Sequence, residues 1–116
     1  MLNRDCVMSP SVESAFDLLG KRWTGLIIQA LLNGQRRFKE VADSVPGVSD
    51  RMLSERFKEL EEAGIVRRVV YPETPVRIEY MLTERGFALK PVIEQIREWA
   101  FRHGDAERSV PNVSQK

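Results

Sequence analysis

Two groups of side chains in this chain could do chemistry. One is a lone thiol, Cys6, the single cysteine in 116 residues, whose thiolate would be a nucleophile toward electrophiles and oxidants. Arg4 nearby favours the thiolate and Asp5 opposes it, so the local balance is close. The other group is a series of cations and hydroxyls: Arg36, Arg37 and Lys39, then Ser49, Arg51, Met52, Ser54, Arg56 and Lys58, and finally Arg68 and Arg77. Lys, Arg and Ser donate to phosphate oxygens, and a guanidinium can also grip two acceptors on a guanine edge. Taken one at a time, each of these residues reads equally well as part of a solvated helix face.

Other chemistries lack their parts. With one cysteine and one histidine, neither an intramolecular disulfide nor a Cys/His zinc site can be built. Glu13 and Glu40 have no His, Lys or second acid at motif spacing, so no acid–base pair, no enzyme and no cofactor are expected. A thiol enzyme built on Cys6 would need a base, and none is visible. His103 reads as a favourable charge near a helix C-terminus. The 18 Lys and Arg against 17 Asp and Glu leave a formal charge of +1, which decides nothing about partners. No apolar run reaches the roughly 18 residues that span a bilayer, and the N-terminus lacks the apolar core of an export signal. A cytoplasmic protein without a membrane partner is expected.

The spacing of apolar residues predicts the elements that must position the cations. Ser9-Pro10 is an N-cap followed by a proline in the first turn, and Val12, Ala15, Phe16 and Leu19 continue at helical spacing to Gly20. Trp23, Leu26, Ile27, Ala30 and Leu31 mark a second helix ending near Gly34. Phe38, Val41, Ala42 and Val45 mark a third, short one, closed by the Pro46-Gly47 turn. Ser49 caps a fourth, with Leu53, Phe57 and Leu60 facing inward and Gly64 at its end. Extended runs at 65–71 and 76–82 flank Pro72-Glu73-Thr74-Pro75 and read as a β-hairpin. Thr83 is expected to cap a last long helix carrying Leu89, Val92, Ile93, Ile96, Trp99 and Ala100, with Pro91 kinking it or delaying its start. Trp23 reads as core, and Trp99 as core or subunit interface. Residues 1–104 then form one domain and 105–116 a polar tail.

This order is that of an α+β, mostly helical, winged helix-turn-helix of MarR-like architecture, with N- and C-terminal helices free to dimerise. The helix from Ser49 would enter the major groove, which is about 12 Å wide and admits one helix. From Arg36 to Arg77 nine Lys and Arg face eight Asp and Glu, so arrangement matters more than sum. Glu59, Glu61 and Glu62 gather at the far end of that helix, and the cations lie at its start and before it. Backbone amides at the start of the short helix could join Arg36, Arg37 and Lys39 in holding phosphates.

The ordered blocks Gly20-Lys21-Arg22-Trp23, Arg37-Phe38-Lys39-Glu40, Pro46-Gly47-Val48-Ser49, Leu53 to Leu60, Pro72 to Val76 and Tyr80 to Gly86 resemble the HxlR-type regulators of bacteria over about residues 10–100. With Val12 to Phe16 and Gly25-Leu26-Ile27, the likeness is greatest to the subgroup that represses genes for quinone and azo-compound reduction or catechol breakdown. The resemblance implies a homodimer on a pseudo-palindromic double-stranded DNA operator. It also implies a reactive N-terminal cysteine that responds to quinones, diamide or catechol-derived electrophiles. In that subgroup the sensing cysteine directly precedes a proline, and here Ser9 holds that position while Cys6 lies three residues earlier. Either Cys6 has taken over the role, or serine replaces an original cysteine at position 9, or this chain does not sense through a thiol. A winged-helix regulator without thiol sensing and a winged-helix module that binds only protein are the alternative readings.

Overall fold

The computed structural model describes residues 9–104. Cys6 and the segment from Asp105 lie outside the described residues. The chain runs α1 (Pro10–Leu19), α2 (Thr24–Leu32), α3 (Phe38–Ser44), α4 (Asp50–Glu62), β1 (Val66–Tyr71), β2 (Arg77–Leu82), α5 (Glu84–Phe87) and α6 (Lys90–His103). The mostly helical α+β fold and the hairpin agree with the winged helix-turn-helix expectation.

Caps set the starts of the helices. Ser9 Oγ accepts from Val12 N at 3.1 Å, and Ser49 Oγ accepts from Met52 N at 3.0 Å, so each hydroxyl satisfies an amide that the helix leaves unpaired. In α3 the same work falls to Glu40, whose Oε1 accepts from the backbone amides of Arg36 at 3.0 Å and Arg37 at 3.1 Å. These bonds hold its carboxyl below the usual carboxylate range, the Arg36 amide contributing most. The two amides are therefore already occupied, which corrects the expectation that they are open to phosphate.

Trp23 does not sit inside a helix, as its place in the apolar stripe suggested. It precedes α2 in a left-handed conformation, φ 79°, which is uncommon for any residue but glycine. Its ring packs toward the tight turn between α3 and α4, where Gly47 has φ +94° and an added Cβ would lie 3.2 Å from the indole. The turn and the start of α2 are thus fitted to each other.

The core comes from α2, α3, α4 and the base of the hairpin: Ile27, Ile28, Leu31, Val41, Val45, Leu53, Phe57, Leu60, Ile65, Val66 and Leu82, with Ile93 from α6. The strands pair antiparallel from Val66 with Leu82 to Tyr71 with Arg77. The amide of Tyr80 also donates to Arg36 O at 2.8 Å, tying β2 to the start of α3.

The expected long helix from Thr83 is in fact two. Thr83 Oγ1 accepts from Gly86 N at 3.1 Å and donates to Gly64 O at 2.6 Å, capping only the four-residue α5. A Cβ on Gly86 would collide with Ile65 O, so glycine lets this turn press against the hairpin base. The chain then restarts as α6 with Pro91 in its first turn, where a missing N–H does no harm. Pro91 therefore marks a delayed start and not a kink. No α1 residue is fully buried, and Ile93 is the buried residue of α6. Val12, Phe16, Val92, Ile96, Trp99 and Phe101 remain exposed. Among the described residues no helix is long and apolar enough to cross a membrane.

Candidate nucleic-acid interface

The residues of α4 divide by helical period. Leu53, Phe57 and Leu60 are buried, which turns Arg51, Ser54, Glu55 and Lys58 outward, all exposed, with Ser49 exposed at the cap and Met52 half-buried. Arg51 has 89% of its side chain exposed and makes only a 3.7 Å contact with Glu55. Lys39 on α3, 85% exposed, makes a similar 3.5 Å contact with Asp43. Such i,i+4 pairs at the surface contribute roughly 0.3–0.5 kcal/mol, so either cation can exchange its partner for a phosphate or a base edge. Arg37 is exposed just ahead of α3. The expected cations Arg37, Lys39, Arg51 and Lys58, with the hydroxyls of Ser49 and Ser54, thus lie on the exposed surfaces of the helix pair.

Two expected members of the set are otherwise engaged. Arg56 retains only 13% side-chain exposure. Its Nε donates to Arg22 O at 2.9 Å, and its Nη1 to both oxygens of Glu59 at 3.2 Å. Glu59 also receives Lys21 Nζ at 3.2 Å, so Arg56 is a strut that pins α4 to the loop between α1 and α2. Arg77 donates through Nη1 to Glu79 at 2.6 Å and through Nη2 to Glu73 at 2.9 Å. Its guanidinium lies 3.8 Å from the centroid of the Tyr71 ring, a cation–π geometry. The Glu73 bond is the main cause of its raised basicity and of the lowered Glu73 pKa. A cation with two carboxylates already on it braces the hairpin. Arg67 and Arg68 on β1 are exposed and carry the hairpin's available positive charge.

Sequence reasoning missed Glu40, the Lys21–Glu59–Arg56 network and Tyr80. Glu40 had a signal, an acid three residues after the residue that precedes α3, but Arg37 at the cap position hides the usual Ser or Thr pattern. The network joins residues 34 and 38 positions apart, which no local pattern reports. Tyr80 stacks on Phe57 from a strand whose alternation showed only that it could face the core.

No group of three or more His, Cys, Asp or Glu that could hold a metal occurs among the described residues.

Comparison with known proteins agrees with this geometry. The family described as HxlR-like helix-turn-helix matches residues 18–108. The HTH-type transcriptional regulator YodB of Bacillus subtilis is 55% identical over 93 residues, 80% of this chain and 83% of YodB. The structure of reduced YodB superposes with a TM-score of 0.75 at 51% identity, covering 86% of this chain and 98% of that one. Quinone-bound YodB gives 0.70 at 48% identity, covering 82% and 99%. The chain is a DNA-binding transcriptional regulator, not an enzyme, and belongs to the HxlR-like helix-turn-helix family.

Proposed function

We propose that this chain is a homodimeric repressor that lays α4 of each protomer in successive major grooves of a pseudo-palindromic operator and releases it when an electrophile modifies Cys6. The observation that carries the DNA reading is the exposed face of α4, where Arg51 and Lys58 stand clear of the strut at Arg56. Arg51 reads a base edge, while Lys58, Lys39, Arg37, Ser49 and Ser54 hold phosphates on either side. Arg67 and Arg68 reach the neighbouring backbone from the hairpin. The exposed apolar side chains of α1 and α6, with Phe16 at 68% and Trp99 at 62% exposure, supply the surface that a second protomer covers. Two recognition helices about 34–36 Å apart would match one turn of B-DNA.

The thiol reading rests on relatives. YodB has been captured with quinone bound, and Cys6 is the one thiol of this chain. Its thiolate adds to a ring carbon of a quinone, and proton transfer restores the aromatic ring as a hydroquinone thioether. With diamide, two thiols give up two electrons and two protons to the azo group, so a disulfide must join the Cys6 residues of two protomers. The hydroxyl of Ser9 is engaged as the α1 cap and is far too weak an acid to add to a quinone. This favours Cys6 over position 9 as the reacting residue.

Selection of duplex fragments by the purified protein, followed by binding assays with and without benzoquinone, tests both parts. An enriched palindrome that wild type releases on treatment and Cys6→Ser retains is expected. Failure to enrich any sequence contradicts the DNA reading, and equal release by Cys6→Ser contradicts the thiol reading.

A further inference from the structure

A cleft of about 480 Å³ opens between α1, the end of α4, the start of β1 and the joint between α5 and α6. Its walls are largely apolar, from Leu18, Ala63, Ile65 and Leu89, with Ser14 and the side chain of Arg85 beside them. None of these residues belongs to the proposed DNA face, and the cleft lies on a different part of the chain from the outer surface of α4. Its volume falls within the roughly 300–1,000 Å³ typical of small-molecule sites.

Arg85 determines what such a site would take. It is exposed, and among the described residues no carboxylate pairs with it. A lone guanidinium beside apolar walls matches a ligand with one planar anionic group on an apolar body. A polyanion would find only one cation here, and a sugar would find few hydrogen-bonding partners. The walls suit a flat ring system.

Around α1, at 3.6 residues per turn, Ser14 and Leu18 of the cleft lie close to the opposite side of the helix from Val12 and Phe16, while its lining residues Ala15 and Leu19 stand between the two faces. We infer that this cleft is a reversible binding site for an aromatic monocarboxylate, gripped by Arg85 and independent of Cys6.

Titration calorimetry of the full chain with sodium 2-naphthoate and with neutral 2-naphthamide tests this without any variant. Saturable binding of one naphthoate per chain, at least about tenfold tighter than the amide, is expected. Arg85→Gln should weaken naphthoate at least about tenfold, and Ser14→Phe, which fills the cleft, should remove binding, with circular dichroism confirming that both variants are folded. Absence of saturable binding at millimolar naphthoate, equal affinity for acid and amide, or binding retained in a folded Ser14→Phe each overturns the proposal. So does binding that appears only after Ile96→Asp separates the chains, since a second protomer then occupies the cleft. None of these readouts involves DNA, so the outcome is separate from that of the repressor reading.

Discussion

The ring of Tyr80 on β2 lies parallel to the ring of Phe57 on α4, with centroids 3.9 Å apart and planes 11° from coincident. Phe57 is fully buried, and the backbone of Tyr80 is bonded in turn to Arg36 ahead of α3. The hairpin, α4 and the start of α3 are thus held by one stacked pair and the backbone bond beside it. Phe57→Ala should destabilise the fold by about 3–5 kcal/mol in urea unfolding, and Tyr80→Ala by less. The double variant should show a coupling of about 0.5–1.5 kcal/mol. Simple additivity would mean that the two rings contribute only as separate apolar surface.

In the sequence Arg56 and Arg77 read like the other candidate DNA contacts, and in the fold both are engaged by acceptors within the chain. Arg56→Ala should lower stability by about 1–3 kcal/mol, because the Arg22 carbonyl and Glu59 lose a charged, half-buried donor. It should leave the salt dependence of binding to random duplex almost unchanged. Lys39→Ala should do the reverse, with stability held and the salt slope reduced by about one. A reduced slope for Arg56→Ala would show that its side chain swings out to DNA.

Acid sensitivity should trace to Glu40 and Glu73. Both carboxyls titrate below their ordinary range in the fold, Glu40 through the Arg36 and Arg37 amides and Glu73 through Arg77. A depressed folded pKa contributes stability that is complete above the unfolded value and is lost as pH falls through the folded one. Unfolding midpoints should therefore fall as the pH drops below the ordinary carboxylate range and through the lowered values of the folded state. Glu40→Gln and Glu73→Gln should each flatten that fall. Arg77, raised further by the same contact, stays charged throughout and adds no slope of its own. An unchanged acid limb in both variants would locate the sensitivity elsewhere.

Local patterns were legible and long-range ones were not. Ser9, Ser49 and Thr83 all cap helices as their types and positions indicated, because a cap needs only residues three positions on. The inward face of α4 was legible for the same reason. Pro91 signalled either a kink or a delayed start, but the separate turn of α5 was not legible, because it involves Gly86 fitting against Ile65 O, some twenty positions away. Trp23 was misplaced because its type and spacing suit a helix, and neither reports the left-handed backbone that sets it ahead of α2. At the candidate interface, exposure at Arg51 and Lys58 followed from helical period, whereas the burial of Arg56 required knowing where Arg22 and Glu59 lie.

The apolar side chains left on α1 and α6 call for a partner surface. Wild-type protein should sediment as a dimer at micromolar concentration, and Ile96→Asp with Trp99→Asp should give folded monomers with weakened affinity for a palindromic site. A wild-type monomer under these conditions would leave Phe16 and Trp99 without the proposed cover.

The direct measurement is the affinity of wild type and Arg51→Ala for a selected operator, its single-base variants and random duplex at matched salt. If α4 reads DNA through Arg51, the substitution should weaken operator binding by about 1–3 kcal/mol and erase the preference at one base pair in each half-site. Random duplex should be much less affected. Equal losses on operator and random duplex, with every base preference intact, would contradict direct readout by Arg51 and the placement of α4 in the groove.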